Sequence, residues 1–273
     1  MILIDGQPGN QIPADDRGLA YGDGVFRTLP LRGGIAPLWD RHYAKLAGDC
    51  RALGITPPAE QDLRADLARI AGKHPDCAIR ITVTRGSGGR GYAIPEAAQA
   101  RRIVSASPLP DHPAHWPRDG VSVRYCSTTL ASQPRLAGIK HLNRLENVLA
   151  RAEWQDAEIA EGLLGDSAGH LIEGTRCNLF IIEQGALVTP DLSACGVAGV
   201  IRQAMLETGA SHGFSVRIDA INRARLEDAD GLLLVNSLIG VWPVARLGER
   251  HWQGFSAAYH LQEWLDELAG LPG

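Results

Sequence analysis

Gly138-Ile139-Lys140-His141-Leu142-Asn143-Arg144-Leu145-Glu146 places a lysine between apolar residues and ahead of a helix-like stretch. Only three lysines occur in the chain, Lys45, Lys73 and Lys140, and the other 24 of the 27 Lys+Arg are arginine. Lysine is therefore not what this protein uses for surface charge. Arginine stays protonated in a protein, whereas a desolvated lysine can become a neutral amine. A neutral amine is what forms a Schiff base with an aldehyde. A lysine kept where arginine is otherwise used is a candidate nucleophile, and Lys140 is taken as that candidate.

Working outward, 273 residues with 45% hydrophobic composition can bury a large core, in one domain or two. The net charge is −4 and no basic block stands out, which argues against nucleic acid as a partner. The opening Met1-Ile2-Leu3-Ile4-Asp5-Gly6 lacks a charged n-region and a long apolar core, so no signal peptide is expected. Apolar runs such as Leu232–Val235 are too short to span a bilayer. The five cysteines form no C-x-x-C pair and the nine histidines no H-E-x-x-H pattern, so neither a disulfide framework nor a metal site is expected. A reducing cytoplasm fits best.

The pattern predicts strands at Val25–Leu31, Cys77–Thr84 and Arg102–Ser107. It predicts helices at Asp40–Leu53, with Asp40 as N-cap and Gly54 as C′ residue, and at Leu63–Ile70. Pro108 to Pro117 holds four prolines in ten residues, which reads as a linker. Beyond it, strands are expected at Val121–Tyr125, Leu163-Leu164, Leu179–Ile182 and Leu232–Val235. Helices are expected around Arg144–Ile159, Val200–Thr208, Asn222–Asp228 and Ala257–Leu268. Strands and helices mix without strict alternation, which points to a mixed α/β or α+β build. The expected division is a domain over 1–110, a Pro-rich linker over 111–119 and a second domain over 120–273 carrying Lys140.

Arg85-Gly86-Ser87-Gly88-Gly89-Arg90-Gly91 is not a nucleotide fingerprint, because no G-K-[ST] follows and Tyr92-Ala93-Ile94-Pro95 does not start a helix. It reads better as a flexible loop that carries Arg90 towards an anion.

These segments together resemble one family. The Lys140 segment, the Arg85–Tyr92 loop and Tyr21-Gly22-Asp23-Gly24-Val25-Phe26 are similar to those of the 4-amino-4-deoxychorismate lyases. Leu171-Ile172-Glu173-Gly174 ahead of Asn178-Leu179-Phe180 looks like the family's glutamate segment, and Gly196–Arg202 like its phosphate-cup helix start. The wider group is the fold-type IV pyridoxal 5'-phosphate (PLP) enzymes, which also holds branched-chain and D-amino-acid aminotransferases.

The resemblance implies two α/β domains with the cofactor between them, assembled as a homodimer with its sites at the interface. It implies that Lys140 carries PLP as a Schiff base and then acts as general base, with His141 or Arg144 lowering its pKa. Glu173 is expected to face the pyridine nitrogen. Gly199, Val200 and Ile201, at a helix start, and Ser237 are expected around the phosphate. Lys45 falls where family members commonly have an arginine, which keeps the charge but loses the bidentate fork. Arg90 and Tyr92 are candidates for gripping a substrate carboxylate, with Arg27 and Arg144 as further ones, and Thr28 stands near the reacting carbon. The implied reaction releases pyruvate and 4-aminobenzoate, a folate precursor, from a small-molecule substrate. An aminotransferase on the same scaffold and a non-catalytic PLP-binding protein are the alternatives.

Overall fold

Val25, Arg27, Leu29 and Leu31 alternate with Phe26, Thr28 and Pro30, the two-residue period of a strand with different faces. The strand they form opens the first of two sheets in the computed structural model, which describes residues 1–89 and 91–270. The described chain groups into two units. One is Met1–Pro110 with Ile139–Asn143, and the other is Asp111–Gly138 with the chain from Arg144 onward.

In the first unit, β1 (Ile2–Ile4), β2 (Gln7–Pro8), β3 (Gly24–Leu31), β4 (Cys77–Thr84) and β5 (Arg101–Ser107) make an antiparallel sheet ordered β2-β1-β5-β4-β3. A short helix, α1 (Arg17–Tyr21), leads into β3, and α2 (Trp39–Ala52) and α3 (Glu60–Ala71) follow it. Leu46 and Cys50 of α2 and Leu63 and Ile70 of α3 close over Leu3, Val25, Leu29, Ile79, Ile81 and Val104 of the sheet. Asp40 is not the N-cap of α2. That position is Leu38, at φ 55°, and Asp40 lies in the first turn, paired with Arg64 at 2.9 Å. The start is set instead by Trp39, which is buried and donates from Nε1 to Glu60 at 2.9 Å. Gly54 does follow the helix in the left-handed region, at φ 64°.

The second unit begins with α4 (Trp116–Asp119), inside the segment expected to be a linker. Residues 111–119 group with this unit, because Trp116 meets the Trp242 ring at 5.0 Å and His112 at 5.6 Å. Pro117 stands in the first turn of α4, where a missing N–H costs nothing.

After α4 come β6 (Val121–Leu130), α5 (Leu145–Arg151), β7 (Ile159–Asp166), β8 (Leu171–Gly174), β9 (Asn178–Glu183) and β10 (Ala186–Pro190). Then follow α6 (Val200–Thr208), β11 (Val216–Asp219), α7 (Arg223–Asp228), β12 (Gly231–Asn236), β13 (Gly240–Leu247), β14 (Arg250–His251) and α8 (Ser256–Ala269). The sheet runs β11-β10-β9-β12-β13-β6-β7-β8, with β14 on β13. β6 pairs parallel to both β13 and β7, so the sheet is mixed. Its core holds Val123, Leu163, Leu179, Ile181, Leu234, Trp242 and Val244.

The helix expected over Arg144–Ile159 stops at Arg151. Glu153 is turned aside to accept the amides of Ser127 and Thr128, both at 2.8 Å, and Trp154 donates to Ile159 O at 3.1 Å. These bonds end α5 and launch β7.

Candidate active site

The lysine segment groups with the first unit rather than with the second, as the sequence had suggested. Its backbone explains why. Phe26 N–H donates to Lys140 O at 2.9 Å, Leu142 N–H donates to Gly24 O at 3.0 Å, and Val25 bridges His141. Ile139–Asn143 is thus laid along β3 by two backbone hydrogen bonds and one isolated bridge. The ammonium of Lys140 then comes 4.7 Å from the centre of the Phe26 ring.

Behind the lysine lies Asp49, which is 3% exposed. Its Oδ2 accepts the backbone N–H of Lys140 at 3.2 Å and is also paired with Arg27. Its Oδ1 is paired with Lys45, one turn back on α2. Burial lowers the pKa of Arg27, and Asp49 opposes that shift. Burial also lowers Lys45, with Asp49 raising it and Arg27 lowering it further. His42, beside them, is held neutral, since burial and then Arg27 depress its pKa to about 3.

This arrangement bears on two expectations. Arg27 is 3% exposed and committed to Asp49, so it does not present its guanidinium to a substrate. Arg27 and Lys45 are joined to the lysine backbone through Asp49, a link the sequence did not suggest when it offered His141 and Arg144.

Thr28 is half-buried on the same face of β3 as Phe26, and its register partner is Arg80. The Arg80 guanidinium lies 3.9 Å from the Phe26 ring centre, on the ring that Lys140 also touches. Burial lowers its pKa, and no carboxylate pairs with it among the described residues. Sequence reasoning missed Arg80. The signal was there in the register, because a strand places residues opposite Thr28 on the same face.

Tyr92 is 87% exposed, with its ring 5.5 Å from that of Tyr21. Its neighbour Gly91 is held from both sides, donating to Tyr21 Oη at 3.1 Å and accepting from Arg17 at 3.1 Å. Arg90 lies outside the described residues.

The second unit carries the other candidates. Glu173 on β8 is 3% exposed, and its Oε2 accepts the Val197 N–H at 2.7 Å. Burial lowers the pKa of Arg144 while Glu173 and then Glu146 raise it, so Arg144 stands in the field of Glu173. That differs from a free position gripping substrate.

Gly199 is the N-cap of α6, and its own N–H is already donated to Asn178 Oδ1 at 3.0 Å. That N–H, expected to face an anion, is thus engaged by a side chain of the same unit. Val200 and Ile201 begin the helix, where amides have no intrahelical acceptor and the macrodipole is positive. The same turn holds Arg202, which the sequence did not single out. It is 4% exposed, and it donates to Thr189 Oγ1 at 3.0 Å and Pro190 O at 2.8 Å. Ser237 sits in the turn between β12 and β13, shaped by Asn236, which accepts from Leu238 and Ile239 at 2.8 and 3.0 Å.

The residues fit PLP in kind. A lysine with an anchored backbone, a buried carboxylate and a helix N-terminus whose leading glycine has no room for a Cβ supply the amine, the anion and the phosphate end that it requires.

The family model for class IV amino-transferases matches residues 24–247. An aminodeoxychorismate lyase from Vibrio harveyi is 36% identical over 245 residues, 90% of each chain. A 4-amino-4-deoxychorismate lyase structure from Pseudomonas aeruginosa superposes with a TM-score of 0.93 at 45% identity, covering 98% of both chains. A bifunctional aminodeoxychorismate lyase and D-amino acid transaminase from Mycobacterium tuberculosis is 28% identical, over 87% of this chain and 88% of its own.

Proposed function

The chain belongs to the class IV amino-transferase family, and from that premise we propose that it is a PLP-dependent lyase that converts 4-amino-4-deoxychorismate into 4-aminobenzoate and pyruvate. The observation that carries this reading is Lys140, one of three lysines, anchored through its backbone on β3 and Asp49 with its ammonium on the Phe26 ring. The lyase relatives at 36% and 45% identity support it over its neighbours.

PLP, when bound, supplies an electron sink for charge that develops on the substrate. Lys140 Nζ would hold its aldehyde carbon. Lys140 would also take the proton from the amine-bearing ring carbon of the substrate. The enolpyruvyl oxygen then leaves the adjacent carbon, the ring becomes aromatic, and protonation of the released enol gives pyruvate. Glu173 would keep the pyridine nitrogen protonated. The Val200 and Ile201 amides, with Lys45 and Ser237, would receive the phosphate. Arg80, Arg90 and Tyr92 would bind the two substrate carboxylates, and Thr28 would line the reacting carbon.

The chain is proposed to act as a homodimer in the cytoplasm. Leu145, Val148 and Leu149 form one exposed apolar face on α5, which favours a partner copy. Five unpaired cysteines favour a reducing compartment. The two-unit division is proposed as the working domain scheme, with the lysine segment counted with the first.

The test is 4-amino-4-deoxychorismate supplied without any keto acid. Wild type should release pyruvate and 4-aminobenzoate in equal amounts, and borohydride should tag Lys140. The bifunctional relative keeps a transaminase in view. Amine exchange between D-alanine and 2-oxoglutarate with no 4-aminobenzoate formed would replace the lyase reading by that one.

A further inference from the structure

Asp49 gathers three donors from three parts of the first unit. Arg27 comes from β3, Lys45 from the preceding turn of α2, and the Lys140 amide from the lysine segment. Two other titratable groups of α2 packed here, His42 and Cys50, carry no charge at neutral pH. His42 has its pKa near 3, and burial and then Asp49 raise the Cys50 thiol to about 12. Arg27 and Lys45 both face the one carboxylate of Asp49. A carboxylate with almost no exposed surface is poorly hydrated, so whatever it holds is held firmly.

We propose that Asp49 is the positioning residue of this site: it fixes the backbone of the reactive lysine and, itself paired with buried Arg27, it holds the Lys45 ammonium that an incoming phosphomonoester meets. The proposal rests on the reading of Lys140 as the Schiff-base lysine. Asp49 touches no reacting atom. It acts through Lys140, whose amide it anchors, and through Lys45, whose ammonium it keeps on α2. It also explains how a lysine can stand at a phosphate position without the arginine fork. The carboxylate one turn ahead restrains the flexible stem and gives the ammonium a fixed direction.

The scarcity of lysine makes this measurable. Full-length protein labelled with 13C at lysine Cε gives three signals, from Lys45, Lys73 and Lys140. Asp49→Asn keeps an acceptor for the Lys140 amide and removes the charge, so Lys45 should titrate at lower pH than in wild type while exposed Lys73 stays in place. Asp49→Ala removes the acceptor as well. It should slow borohydride-trapped labelling of Lys140 by pyridoxal, which lacks the phosphate, by about tenfold, the worth of one hydrogen bond to a charged group. A merely structural aspartate would lower the melting temperature and leave both readouts alone.

If folded Asp49→Ala is labelled at Lys140 at the wild-type rate, or Lys45 does not shift in Asp49→Asn, the proposal is overturned. Should Asp49→Ala not fold, the pair replacement Arg27→Met with Asp49→Leu fills the site with apolar groups. The same slow labelling must appear there, and the wild-type rate would equally overturn the idea. Labelling of Lys45 or Lys73 in place of Lys140 in the wild type would instead remove the functional reading. The Lys45 shift is read without cofactor and separates the two failures.

Discussion

Replacing Gly199 by alanine tests whether the start of α6 is built around a missing side chain. A Cβ there would come 2.3 Å from Asn178 Oδ1. The backbone is extended, at φ −74° and ψ 155°, so alanine meets no conformational penalty and only the contact opposes it. Asn178 cannot retreat freely. It is 6% exposed, its Oδ1 accepts from Gly199 at 3.0 Å, and its Nδ2 donates to Val197 O at 2.7 Å. Restoring ordinary contact needs roughly 1 Å of movement, which breaks these bonds. Overpacking costs about 1–3 kcal/mol, and leaving a buried polar group unpaired costs about 1–3 kcal/mol more. The variant should therefore lose about 2–6 kcal/mol, and its melting midpoint should fall by about 2–4 °C for each of them. Because Val200 and Ile201 shift with Gly199, affinity for PLP should drop more than affinity for phosphate-free pyridoxal. Gly48→Ala is the control. It lies within α2, a Cβ there meets nothing within 4 Å, and it should gain about 0.5–1 kcal/mol. Calorimetry of full-length protein and titration with both aldehydes measure this. If Gly199→Ala melts with the wild type while Gly48→Ala gains as expected, the steric reasoning is refuted.

Glu173→Gln should still bind PLP yet lose turnover by about tenfold or more, since an anion that holds a proton on the ring nitrogen becomes a neutral amide; turnover equal to wild type would remove Glu173 from the chemistry. Arg80→Met should raise KM for the dicarboxylate substrate by about tenfold, and an unchanged KM would confine Arg80 to its packing on Phe26. His42 is neutral when folded, with a pKa near 3 against 6.5 unperturbed, because of burial and then Arg27. Between those values the unfolded chain binds a proton that the folded chain refuses, so this contribution is complete above pH 6.5 and is lost as pH falls towards 3. His42→Leu should flatten that slope in urea midpoints, and an identical slope in both proteins would assign it to other groups. Leu149→Glu, on the exposed face of α5, should weaken self-association in sedimentation runs; unaltered dimer affinity would place the contact elsewhere.

Much of the first sheet was legible, because β-branched runs such as Cys77–Thr84 coincide with β4. Helix α6 was found at its observed bounds, Val200–Thr208. The strands that escaped are short or buried on both sides. β8 is buried at all four residues and so shows no alternation. β11 gains its place by parallel pairing with β10, a distant relation that no local pattern announces. The site divided in the same way. Lys140 and Glu173 stood out by residue type and by resemblance. Asp49, Arg80 and Arg202 did not, because each acts through a partner remote in sequence. Gly199 was placed at the right helix, and only the fold reveals that Asn178 accepts its amide.

The order of strands in the second unit has a consequence for how the chain is made. β13 alone joins β11-β10-β9-β12 to β6-β7-β8, pairing with β12 on one side and β6 on the other. Val121 finds its partner only at Val244. A ribosome that has delivered the chain as far as Asn236 has supplied seven of the strands and not the one that unites them. Until Leu247 emerges, two half-sheets wait with open edges, exposed to the mispairing that non-local β structure invites. The first sheet needs nothing beyond Ser107 and can close long before. Synthesis thus imposes a sequence of events, with an early sheet that folds as it appears and a late one completed by a single strand near its end.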